Sequence, residues 1–177
     1  YLLKRIKPNI PARDIAHTLI GTCDQLYGYK PGDDATVVAV NVKKPLYVDM
    51  MAGPPINRQY DRDVVEKFIE GRAKKIVCGG TTAQIVAREL KKNIDTTMEY
   101  LDEEVPPIAY IEGIDLTTEG VLTLTKTVDI IKYYIEGNMH KRGCKTLSEK
   151  DGATQLAQIL IDQCTHLKLY IGRAINP

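Results

Sequence analysis

Apolar and polar residues change their spacing along this chain, and each change marks an element. From Pro11 to Tyr27 the apolar positions Ala12, Ile15, Ala16, Leu19, Ile20, Cys23 and Leu26 recur every three or four residues, which predicts a helix with one inward face. Pro11 suits its first turn, where no N–H is needed. Tyr27-Gly28 ends the helix, and Lys30-Pro31-Gly32 turns the chain. The β-branched run Thr36-Val37-Val38-Ala39-Val40-Asn41-Val42 then predicts a strand. After Lys43-Lys44-Pro45 the pattern restarts with a strand over Leu46–Met51 and a Gly53-Pro54-Pro55 loop. Asp61 caps a helix that carries Val64, Val65, Phe68 and Ile69 inward and closes at Gly71.

The middle of the chain, Lys74–Lys91, is a short buried strand (Ile76, Val77, Cys78), then Gly79-Gly80-Thr81-Thr82, then a helix with Ile85, Val86 and Leu90 on one side. Ile94–Tyr100 reads as a strand, Leu101–Pro107 as an acidic linker, and Ile108–Ile111 as another strand before a turn at Glu112–Asp115. Thr118 caps a helix bearing Val121, Leu124, Val128, Ile131 and Ile135, with Glu119 suited to its first turn. Glu136–Gly152 is polar, charged and glycine-bearing, the composition of a mobile loop or lid. A helix over Ala153–Cys164 and an alternating strand over His166–Ile171 lead to the exit segment Gly172–Pro177. Strands alternating with helices over short connections predict an α/β fold: a mostly parallel sheet with helices on its faces and right-handed crossovers. In such sheets ligands gather where strands end and helices begin.

Composition narrows the partners. Lys plus Arg is 24 and Asp plus Glu is 23, so no net field points to nucleic acid or anionic lipid. No apolar run approaches a membrane span, and the start, Tyr-Leu-Leu-Lys-Arg-Ile, is too short for a secretory signal. Without an initiator Met, the expectation is a chain cut from something longer. Cys23, Cys78, Cys144 and Cys164 are widely spaced, with no C-x-x-C pair, which favours a reduced, cytoplasmic protein. There is no internal repeat, and the sequence is compatible with an oligomer.

Two stretches carry candidate chemistry. Gly79, Gly80, Thr81 and Thr82 lie between a strand and a helix, where glycines admit a ligand to the backbone and free N–H groups attract an anion. The same residues also make an ordinary tight turn, with Thr81 or Thr82 as the cap. Asp115, Thr117, Thr118 and Glu119 form a polar cluster able to line a site beside those glycines, although capping accounts for each separately. Asp115 or Glu119 as a general base has no motif behind it. Asp33 and Asp34, feeding into a strand, suit a hard ion such as Mg²⁺ or Mn²⁺, or else a solvated Asx-turn. His140 with Cys144 is a weak metal signal. Lys141, Arg142 and Arg173 are candidate anion contacts. There is no G-x-S-x-G, no P-loop and no H-E-x-x-H.

The stretch GDDATVVAV, after a helix and a turn, resembles the close of metal-dependent (PPM-type) serine/threonine phosphatases of the sporulation stage II protein E (SpoIIE) branch. That resemblance covers roughly residues 9–42. It implies that Asp33 is the last metal-binding carboxylate, with Asp34 in the neighbouring position, and that the metal is Mn²⁺ or Mg²⁺. The family's other metal carboxylates lie upstream of such a segment. One carboxylate does not hold a two-metal centre, so the chain by itself is expected to be inactive, with no catalytic residue of its own. Gly53-Pro54-Pro55, IVCGGTTAQIVAREL, IEGIDLTTEGVLTL and GRAINP resemble the C-terminal extension of some clostridial-type members of the family. The expectation is therefore a phosphatase tail at 1–42 and an appended α/β domain at 43–177. The parent would hydrolyse a phosphoprotein, and the appended domain would bind a small anionic ligand. The competing expectation is a free-standing α/β module that binds a phosphorylated small molecule at Gly79–Thr82 without catalysis.

Overall fold

A computed structural model describes residues 10–30, 32–96, 108–136 and 151–174. The chain divides into two compact units, Tyr1–Lys44 and Pro45–Pro177.

In the first unit, helix α1 spans Ala12–Leu26 and opens from Pro11, whose carbonyl accepts from the N–H groups of Asp14 and Ile15. None of its side chains is fully buried. The strand expected over 36–42 does not form. The segment runs without a ladder partner among the described residues, and Val38, Val40 and Val42 are 81%, 83% and 93% exposed. A strand requires a neighbour for its N–H and C=O groups, and β-branched composition alone does not supply one.

The second unit is a six-stranded sheet in the order β3-β4-β5-β2-β1-β6. The strands are β1 (Tyr47–Ala52), β2 (Lys74–Cys78), β3 (Ile94–Thr96), β4 (Ala109–Ile111), β5 (Leu116–Thr118) and β6 (His166–Ile171). β6, β1, β2 and β5 are parallel neighbours, while β4 runs antiparallel between β5 and β3. Helices α2 (Asp61–Ile69) and α3 (Gly80–Leu90) cover one face. Helices α4 (Val121–Ile135) and α5 (Gly152–Gln158), the latter running into a π turn at Ile159–Gln163, cover the other.

Alternation along the central strands builds both cores. Met51 and Val77 point toward Val65, Phe68 and Val86, whereas Val48, Ile76 and Cys78 point toward Leu116, Leu156 and Ile159. Central parallel strands are buried on both faces, hence the apolar runs Met50-Met51-Ala52 and Ile76-Val77-Cys78. The order of strands reverses at β1. The chain leaves β1 through α2 to reach β2 on one side, and returns through α4 and α5 to lay β6 on the other.

Several local expectations are revised. Helix α4 starts at Val121 with Gly120 in the cap position, because Thr118 ends β5 and its hydroxyl donates to the Glu119 carbonyl. Asp61 is the first residue of α2, and its carboxylate accepts from Arg88 instead of capping. The cap of α5 is Asp151, which accepts from the N–H groups of Ala153 and Thr154. Most of the polar loop at 136–152, with His140, Lys141, Arg142 and Cys144, lies outside the described residues, as do 97–107. No helix among the described residues is long and apolar enough to cross a membrane.

Candidate functional site

The glycine turn after β2 is tight, and both backbone groups of Gly79 are hydrogen-bonded. Gly79 sits at φ 111°, in the region that favours glycine, as the cap residue of α3. Its N–H donates to the Thr118 carbonyl at 2.8 Å, and its carbonyl accepts from Ala83 N–H at 2.8 Å. Helix α3 begins at Gly80, so neither Thr81 nor Thr82 is the cap. Thr81 is exposed, and Thr82 is buried with its hydroxyl 3.2 Å from where a Cβ on Gly79 would lie. Glu119 comes close: both its carboxylate oxygens are 3.6 Å from where a Cβ on Gly80 would lie. The positive end of the α3 dipole thus already has a carboxylate beside it, and an incoming anion would have to displace that charge.

Asp115 does not join this group. Its N–H donates to the Lys75 carbonyl and its carboxylate accepts from the Lys75 N–H, at the amino ends of β2 and β5 and so at the opposite end of the strands. Cys78, the last residue of β2, is no nucleophile. Burial pushes its thiol pKa up, with a hydrogen bond to Thr118 acting the other way, and a protonated thiol is unreactive. In the first unit, Asp33 and Asp34 are exposed in a turn where Asp33 Oδ1 accepts from the Asp34 N–H. Exposed carboxylates are suitable donors for a hard ion. They complete no site by themselves, since no group of three or more metal-ligating side chains occurs among the described residues.

A mainly apolar concavity of the second unit lies elsewhere, at the carboxyl ends of β1 and β6. It holds about 580 Å³, within the usual range for small-molecule sites. Met51 and Val64 make its inner wall, and Pro55, Ile56, Tyr60 and Tyr170 surround them. Two of the loops that carried the family resemblance meet here. Gly172 donates its N–H to the Ala52 carbonyl at 2.8 Å, and Ala174 donates to the Pro54 carbonyl at 3.2 Å. Gly53 adopts φ +80°, and a Cβ on Gly172 would fall 2.2 Å from the carbonyl oxygens of Gly53 and Pro54. Only glycine lets these two loops lie so close.

Neighbouring contacts hold the walls. Tyr170 stands edge-on to Phe68, ring centroids 5.5 Å apart, and donates its hydroxyl to the Lys67 carbonyl. Asn57 accepts from the Gln59 N–H and fixes the short 3₁₀ turn Arg58–Tyr60 that precedes α2. Below the sheet's other end, the buried Lys75 ammonium donates to Asp49 Oδ2 at 2.7 Å and to the carbonyls of Phe68 and Glu70. That anchors the end of α2 to β1 and β2.

Of the residues singled out in the second unit, the structure brings Gly79, Gly80, Thr82 and Glu119 together and leaves Asp115 apart from them. Arg173, a candidate anion contact, lines the pocket. The pocket itself had one local signal, the glycines of Gly53-Pro54-Pro55 and Gly172-Arg173, but nothing in either loop announces the other. No protein-family model, no curated protein and no solved structure matches this chain.

Proposed function

We infer that this chain is the C-terminal part of a SpoIIE-like, metal-dependent phosphoserine/phosphothreonine protein phosphatase, and that residues 45–177 are its ligand-binding regulatory domain. The observation that carries the regulatory reading is the pocket at β1 and β6, which lies where the strand order reverses. Crevices outside the carboxyl ends of strands at such a reversal are the usual ligand sites of open α/β sheets. The phosphatase reading rests on the resemblance of residues 9–42, with Asp33 as one Mn²⁺ or Mg²⁺ ligand and Asp34 beside it. The remaining ligands would come from the parent protein, so the catalytic step belongs to that parent, acting on a phosphoprotein in the cytoplasm.

The competing reading, a free-standing module that takes a phosphorylated small molecule at Gly79–Thr82, has less support. Glu119 already stands at that turn. The deciding experiment is Asp33→Asn in the full-length protein, assayed for Mn²⁺-dependent release of phosphate from a phosphoserine peptide. Loss of one metal carboxylate is expected to lower kcat/KM by about a hundredfold, the scale of a lost group that stabilises the transition state electrostatically. Activity equal to the parent's would remove Asp33 from the metal site.

A further inference from the structure

The pocket at β1 and β6 has a one-sided polar chemistry. Arg173 is the single charged residue among the described residues that line it. The other polar groups are few. The carboxamide oxygen of Asn57 is committed to the Gln59 N–H, which leaves its NH₂ group to donate. The Tyr170 hydroxyl is turned away to the Lys67 carbonyl, so that residue offers only its ring. The Gly172 N–H is committed to Ala52. What remains is the Arg173 side chain, the Asn57 NH₂ group and the Tyr60 hydroxyl in a pocket walled by Met51, Pro55, Val64 and two tyrosine rings.

We propose that this pocket binds a flat, mainly apolar molecule bearing one acidic group, with Arg173 as the residue that recognises the acid. The proposal rests on the reading of residues 45–177 as a ligand-binding domain and narrows its ligand class. Aromatic and aliphatic walls take up a planar body by burying its faces, since apolar area removed from water supplies the affinity. The one charged side chain among the described lining residues is a cation, and a carboxylate matches it. Arg presents its N–H groups as a planar fork that matches a carboxylate in two parallel bonds. A basic ligand would face the like charge of Arg173, and a polyanion would meet one cation only among the described lining residues. The acid-binding chemistry expected at Gly79–Thr82 is thereby moved to the other side of β2.

The test uses the whole 177-residue chain, ¹⁵N-labelled, titrated by NMR with three probes. Indole-3-acetate has the flat body and the acid, 3-methylindole the body alone, and acetate the acid alone. The expected result is saturable shifting of the Gly53, Asn57 and Gly172 amides by both indoles, with indole-3-acetate about tenfold tighter, and no saturation by acetate. Arg173→Gln, at an exposed position, is expected to bring indole-3-acetate down to the affinity of 3-methylindole while leaving the latter unchanged. A second variant, Val64→Phe, which fills the enclosure, is expected to abolish binding of both while the spectrum stays dispersed. Equal affinity for the two indoles in the unmodified chain overturns the acidic ligand class while leaving the pocket a ligand site. Saturable shifts centred on Gly79–Thr82, or no saturable binding of either indole, overturn the pocket itself. Neither of those results bears on Asp33 and the phosphatase assay.

Discussion

At the scale of single residues, the second unit is fixed by a buried charge. Lys75 places its ammonium against Asp49, Phe68 and Glu70, three acceptors for three donors, with both charged side chains nearly inaccessible. Such a pair adds little net stability over apolar residues, but breaking it strands a charge. Lys75→Met is therefore expected to cost about 3–5 kcal/mol in urea denaturation, and adding Asp49→Leu is expected to recover most of that loss. A double variant no more stable than the single one would mean that Asp49 is not the stranded group. Cys78 gives the corresponding dependence on pH. Burial raises its thiol above the ordinary value of 9.0. Below that pH both folded and unfolded chains hold the proton and the group is silent. Above it the unfolded chain ionises first and binds fewer protons than the native one, so stability falls with rising pH until the native thiol also ionises. Denaturation midpoints between pH 8 and pH 11 are expected to fall less steeply in Cys78→Ala than in the unmodified chain; parallel curves would show that the thiol has no part in the loss.

At the scale of elements, the pocket depends on two loops that approach by way of glycine. Gly172→Ala forces a methyl group onto the backbone of Gly53 and Pro54 rather than onto a yielding side chain. The expected cost is about 3 kcal/mol, at the upper end for overpacking, together with loss of probe binding. Gly113→Ala, where no atom lies within 4 Å but φ is +92°, serves as a control for backbone strain away from the pocket. Equal losses in both variants would assign the effect to backbone conformation in general. The elements themselves were largely legible in the sequence. The three-four spacing over Ala12–Leu26 and the Ile76-Val77-Cys78 run correspond to α1 and β2 because those patterns follow from local geometry. What local pattern does not hold is pairing. Nothing within His166–Ile171 says that it lies beside β1, and nothing in Val37–Val42 says that it lacks a neighbour. The same limit explains the site. Glu119 lies beside the glycine turn because both follow adjacent strand ends, whereas Asp115 shares its neighbourhood only in sequence, since it precedes β5 at the amino end of the strands. The pocket joins loops after β1 and β6, distant in sequence, and becomes visible only once strand order is known.

At the scale of the whole molecule, the two units differ in how they hold together. Every residue of both apolar clusters lies at or beyond Leu46, with Leu46 and Cys164 at the margin of one and Tyr170 at the margin of the other. Helix α1 contributes no buried side chain, and the valines of the following segment face solvent. Removing residues 1–44 thus deletes no member of either core and no strand of the sheet. Two facing layers of helix with a sheet between them satisfy what an independently folding domain needs, one contiguous buried core on each sheet face. Residues 45–177 expressed alone are expected to unfold cooperatively, with a stability within about 1 kcal/mol of the full chain, the scale of changes that leave a core intact. Circular dichroism during urea denataturation and a dispersed ¹⁵N spectrum check it. Retention of indole-3-acetate binding by that fragment would place the ligand site and its fold in the same unit. A fragment that is collapsed without cooperative unfolding would show instead that residues 1–44 supply stability that neither apolar cluster contains.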